Sequence, residues 1–204
     1  MTCMTSNTAP HTHHLATDYA GSLHTGTADD TTATRRRTGL AWTVGGALWI
    51  AAGLLYAESG WRFRASSAVW LAADVVLAAG LVGLMVLRPH GPSRGAAVAL
   101  IAALAARVLF AAAEVSGLVT GTENDILLPM AALLTALSSV AYGAFARLAD
   151  RRLRVASTVM GLYFFAVMLP FAIAGEPNSL AIGGWGIPAA LIGLAISRGT
   201  APRD

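Results

Sequence analysis

From Leu40 onward the chain alternates long apolar stretches with short polar breaks. The apolar stretches run over Leu40–Ala57, Ser67–Leu87, Gly95–Val119, Ile126–Ala146, Val155–Ala174 and Leu180–Ile196. Each has about the 17–25 residues that a helix needs to cross roughly 30 Å of hydrocarbon at about 1.5 Å per residue. Strands of a membrane barrel would be about ten residues long and alternate apolar with polar positions, and these stretches do neither. Lipid offers an amide no hydrogen-bond partner, so a helix, which satisfies its own backbone, is the remaining solution. The pattern predicts an all-α integral membrane protein. It is a six-transmembrane-helix bundle over residues 39–197, followed by a short tail at 198–204.

The breaks have helix-ending chemistry. Arg88-Pro89-His90-Gly91-Pro92 cannot continue a helix, because proline lacks an amide hydrogen and restricts the residue before it. Gly175-Glu176-Pro177-Asn178 reads as a turn of the same kind. In Gly121-Thr122-Glu123-Asn124-Asp125, either Asn124 or Asp125 can cap the helix that follows. Gly183-Gly184-Trp185-Gly186-Ile187-Pro188 predicts a break inside the sixth helix, and Pro170 a kink near the end of the fifth. Leu48-Trp49-Ile50-Ala51-Ala52 in the first helix is echoed by Val69-Trp70-Leu71-Ala72-Ala73 in the second. With so Ala- and Leu-rich an alphabet, and helices running in opposite directions, the echo reads as coincidence rather than as a transporter-like repeat.

Residues 1–38 differ. They hold eleven threonines and four histidines but no apolar stretch of signal-peptide length. With so little apolar surface to offset the entropy of ordering, they are expected to form a disordered polar tail. His11, His13, His14 and His24 stand without a cysteine or carboxylate cluster, so no metal is expected there. Cys3 is the single cysteine, which excludes an intramolecular disulfide and a cysteine metal site.

Composition agrees with the bilayer. Only 12% of residues are charged and 55% are hydrophobic, against about 25% charged in soluble domains. All fourteen basic residues are arginine, which with the heavy use of Ala and Gly points to a GC-rich bacterial genome and the bacterial cytoplasmic (inner) membrane. A net charge of +3 and a pI near 9.6 do not indicate nucleic acid here, because the arginines flank apolar segments. With the amino terminus inside, eleven arginines fall on the inner side and only Arg62 and Arg64 on the outer side. The positive-inside rule then predicts both termini in the cytoplasm.

Three ionisable residues lie within the predicted spans: Asp74, Arg107 and Glu114. Each costs about 2.5–3.5 kcal/mol at a helix centre even on the lenient insertion scale. Helix depth places Asp74 near the level of Arg107 on a neighbouring helix, so the two are expected to pair. A guanidinium has five donors and cannot be neutralised. The stripe Thr135, Ser138, Ser139 and Tyr142 on the fourth helix offers it further acceptors. Glu114 lies two turns from Arg107 with no second cation available. The candidate ligand or proton site is therefore Asp74, Arg107, Glu114, Ser138 and Tyr142. Glu58, Glu123, Asp125 and Glu176 form an acidic mouth above them if they converge.

Three function classes remain. The leading one is a non-catalytic accessory or partner-binding subunit whose polar cluster holds the bundle together. The second is an intramembrane enzyme on a lipid or isoprenoid substrate, with Asp74 or Glu114 as a terpene-cyclase-like general acid. The third is a small cation- or proton-coupled transporter. A filled core favours the first, an apolar pocket ending in an acid the second, and a continuous polar path the third. No cofactor is expected. The partners expected are the bilayer, other membrane proteins or a lipid-like small molecule.

Overall fold

The computed structural model describes residues 28–56, 60–174 and 178–199. Four spans are single helices: α1 (Ala28–Leu55), α2 (Gly60–Leu87), α3 (Arg94–Thr120) and α4 (Leu127–Phe145). The fifth consists of α5 (Arg151–Tyr163), a π-helical turn (Phe164–Met168) and α6 (Leu169–Ile173). The sixth is α7 (Ser179–Gly184) and α8 (Gly186–Arg198). All six are long and apolar enough to cross a membrane, and the chain is a multi-pass membrane protein. Large aliphatic side chains such as Val86, Ile101, Val108 and Leu133 point outward. In water they would form an aggregating surface, whereas in lipid they face their own kind.

The spans pack in chain order: α1 on α2, α2 on α3, α3 on α4, α4 on α5. The ring closes where α5 meets α8 and where α7 and α8 return to α1. That last seam is built from glycine. Gly39, Gly46 and Gly53 of α1 face Gly193, Gly186 and Gly183 of the sixth span. A Cβ at Gly46 would come within 2.5 Å of the Gly186 carbonyl oxygen, so the backbones approach at a distance only glycine allows. Lipid tails are as apolar as leucine, so close packing of small residues substitutes for the hydrophobic effect in holding such a seam. Gly80 and Gly83 of α2 likewise receive the Trp42 ring and Thr38 from α1.

Arg88, Arg94, Arg147, Arg151, Arg152, Arg154 and Arg198 collect at one end of the bundle. Arg62, Arg64, Glu123 and Asp125 lie at the other, called here the mouth end. The turns follow the sequence closely. Arg88 and Gly91 take positive φ, 44° and 63°, in the proline-rich break. Asn124 performs the expected capping, its Oδ1 accepting from the Ile126 and Leu127 amides at 3.2 and 2.8 Å.

One boundary is corrected. Residues 28–38, expected to belong to the polar tail, are helical and extend α1 well before Leu40. Threonine and arginine are tolerated in a helix, and adding a turn to an existing helix avoids the cost of nucleation. Tertiary contacts secure the extension. Thr38 is buried against Gly83, and Arg35 Nη1 donates to the Gly199 carbonyl at 2.6 Å. The rest of the tail with Cys3 and its four histidines, Glu58, Glu176 and residues 200–204 lie outside the described residues.

Candidate functional site: an aromatic pocket over a buried ion pair

Arg107 of α3 is 3% exposed and lies roughly 20 Å in from Thr120 at the mouth end. Its Nη1 donates to Asp74 Oδ1 of α2 at 2.9 Å, and its Nη2 donates to Thr135 Oγ1 of α4 at 2.8 Å. This is the one ion pair among the described residues. Adjacent helices in the ring thus supply the acceptors expected from the sequence. The charged plane also lies over three rings, with centroids 4.8 Å away for Phe110, 5.3 Å for Trp49 and 5.8 Å for Trp185. Ring quadrupoles attract a desolvated cation. They replace part of the hydration that the arginine loses.

The candidate residues do not form one cluster. Ser138 donates back to the Thr135 carbonyl at 3.0 Å and supports the loop of contacts without touching Arg107. Tyr142 sits about two turns closer to the arginine-rich end. Its ring packs on His90 with centroids 5.9 Å apart, and its hydroxyl has no partner among the described residues. The matching spacing put Tyr142 on the right face but not at the right depth. Burial and the neighbouring Arg88 push the His90 imidazole pKa below its ordinary value. Glu114 lies above the ion pair, within hydrogen-bonding reach of the Ser67 hydroxyl of α2.

Two irregular helices complete the site. Pro188 cannot donate to Gly184, and the sixth span breaks at Trp185 as expected. The break turns Trp185 into the core, where its indole donates to the Met160 carbonyl at 2.8 Å. The Ile182 carbonyl, which also accepts from the Trp185 amide at 3.2 Å, accepts from the Trp49 indole at 2.9 Å. In the fifth span the distortion expected at Pro170 is a π turn just before it, where Leu169 N–H reaches back to Phe164 O. Such turns widen a helix and re-aim its side chains. Here Phe164 is directed inward, tilted against Trp185 with centroids 6.4 Å apart.

Above this aromatic layer a pocket of about 320 Å³ opens at the mouth end. Trp49, Trp70, Phe110 and Phe164 wall its deeper part, Glu114 stands in the wall, and Glu123, Asp125 and Asn178 form the rim. Among the described residues no basic side chain lines it. Trp70 is 6% exposed, and its indole N–H has no partner among the described residues. On the rim, Tyr56 donates to Glu123 Oε1 at 2.5 Å. Glu123 and Asp125 thus both stand at the pocket rim, while Glu58 and Glu176, the other two residues expected at the acidic mouth, lie outside the described residues.

The aromatic wall was the part hidden from sequence reasoning, although one signal existed. The echoed segments place Trp49 and Trp70 on neighbouring helices, and their rings meet at 6.4 Å. Their similarity marks two sides of one pocket rather than a duplicated half. No protein-family model, no curated protein and no solved structure matches this chain.

Proposed function

We propose that this protein is a non-catalytic receptor or carrier for an organic cation with an apolar body, taken up at the mouth end. The pocket supports this reading: aromatic faces, the carboxyl groups of Glu114, Glu123 and Asp125, and no basic group among its lining residues. Aromatic faces and carboxylates together recognise an ammonium group. The reading keeps the non-catalytic character expected from the sequence and replaces a protein partner with a small molecule, because a filled core would have left no pocket. Below the pocket, the Trp49, Phe110 and Trp185 rings over Arg107 close the path, which supports binding over conduction.

In this reading the arginine-rich end is cytoplasmic, in the inner membrane of a bacterium, and the mouth faces outward. Reporter fusions at Ser93 and Arg151 are expected to read cytoplasmic, and those at Thr122 and Asn178 external. An external reading at Arg151 overturns the orientation.

The ligand class is tested with tetrabutylammonium and a neutral alcohol of similar bulk, following quenching of tryptophan fluorescence in detergent. Saturable binding of the ammonium is expected, weakened about tenfold in Glu114→Gln, which keeps the shape and removes the carboxyl group. Equal binding of the alcohol, unaffected by Glu114→Gln, overturns the cation reading. A second reading has its own observation, an acid standing in an aromatic wall. There Glu114 is the general acid toward an isoprenoid or lipid-like substrate. Turnover of a prenyl substrate that disappears in Glu114→Gln would select it.

A further inference from the structure

At the arginine-rich end, α5 and α8 diverge and leave a groove of about 680 Å³. We infer that this groove is a binding site for an anionic phospholipid, with its phosphate on Arg151, Arg152 and Arg198 and an acyl chain lying between the two helices. The two walls have the same register. Arg151 and Arg152 begin α5 and Arg198 ends α8. One turn inward stand Val155 and Leu194, and a further turn inward Val159 and Leu191. At about 1.5 Å per residue the apolar pairs lie roughly 6 and 12 Å below the guanidinium groups, the depths of a lipid's glycerol region and upper acyl chain.

The floor of the groove is formed by Ala156 and Ala195, both 8% exposed. Two alanines at facing positions make the surface concave, where a larger pair would fill it. Val155, Val159, Leu191 and Leu194 remain 53%, 45%, 48% and 39% exposed, so no other part of the described chain covers them. The three arginines are exposed, and none is ion-paired among the described residues. Asp150 is the one carboxylate at the rim among the described residues. Its Oδ1 already accepts from the Arg152 amide at 2.7 Å as the cap of α5. Arg154 is turned away, its Nε donating to the Gly143 carbonyl of α4 at 3.1 Å. What is left is a positive rim over an apolar trough, the complement of an anionic lipid and not of a zwitterionic one.

The test uses the full chain in detergent with phosphatidylglycerol, phosphatidylcholine or inorganic phosphate titrated in. Bound lipid is counted by native mass spectrometry, and the melting temperature is followed. Phosphatidylglycerol is expected to bind saturably and raise the melting temperature, and phosphatidylcholine to bind at least about tenfold more weakly. The variant Arg151→Gln/Arg152→Gln/Arg198→Gln is expected to lose the preference for phosphatidylglycerol. Arg62→Gln/Arg64→Gln at the mouth end should keep it. Ala195→Leu, which fills the trough and leaves every charge in place, should weaken lipid binding and keeps the question decidable if the triple variant misfolds. An unchanged preference in both groove variants overturns the proposal. So does an equal melting shift from inorganic phosphate, which would mean a phosphate site without a lipid chain.

Discussion

The two ends of this bundle use the same six helices in opposite ways. At the arginine-rich end the helices are regular and the interior is filled. Trp42 lies over Gly80, Thr38 over Gly83, and Leu77, Leu81 and Leu84 close the space between. At the mouth end two of the six spans are broken, by the π turn and by Trp185, and the interior holds a pocket, an acid and aromatic rings. Irregular backbone at membrane depth is tolerated only against protein or a cavity. Helix breaks and pocket occur at the same end, where the indoles of Trp49 and Trp185 donate to carbonyls of the two broken spans, Ile182 and Met160. The ion pair of Asp74 and Arg107 sits on the boundary between the two halves. In a bilayer the filled half gives the bundle its shape, and the open half holds the pocket to which the proposed function assigns a ligand.

That division is most severely tested at the boundary. Asp74→Ala leaves the Arg107 guanidinium buried without a counter-ion, and a loss of about 3–5 kcal/mol is expected. Arg107→Leu added to it should recover much of the loss, since no charge then remains buried. Folded yield and unfolding in detergent measure both. Toleration of Asp74→Ala without any effect of the second change would mean that water reaches the pair and that the filled half ends lower down.

The glycine seam is expected to be next in size. Gly46→Ala puts a methyl group against the Gly186 carbonyl, forcing α1 from the sixth span at a cost of about 1–3 kcal/mol. The sharper expectation is its spread. Separation of the seam should also loosen Trp185 and Trp49, so the tryptophan emission maximum should shift to the red. A loss of stability with unchanged emission would show that the pocket is held independently of the seam.

Glu114→Gln should alter the open half alone. Its melting temperature is expected to stay within about 2–4 °C of the unmodified chain, as for a change of roughly 1 kcal/mol, while cation binding falls. A large loss of stability would move Glu114 from the ligand site to the scaffold.

The smallest effect belongs to the filled half. His90 is buried outside the spans, its Nδ1 has no partner among the described residues, and its pKa lies below the ordinary imidazole value. The unfolded chain takes up the proton first as pH falls. The contribution of neutral His90 is complete above the ordinary value and is lost as pH drops through it toward the folded one. Stability is thus expected to decline modestly from about pH 7 to pH 5, and His90→Phe should flatten that part of the profile.

Much of this was legible in the chain. Periodicity and length determined the six helices, proline and glycine located the breaks, and the cost of charge in lipid singled out Asp74, Arg107 and Glu114. The pairing of Asp74 with Arg107 followed from depth, a one-dimensional quantity that residue number supplies directly at about 1.5 Å per residue. Rotation about each helix axis is different. It decides which side chains face the centre and depends on how all six helices pack at once. Only the tertiary structure showed that Thr135 rather than Ser138 reaches Arg107. Only there do Trp49, Trp70, Phe110, Phe164 and Trp185 converge from five different spans. An aromatic residue in a transmembrane segment reads the same whether it faces lipid or a pocket, because both surroundings are apolar. Charge leaves its mark on the sequence because lipid penalises it; a pocket made of rings leaves none until the helices are assembled.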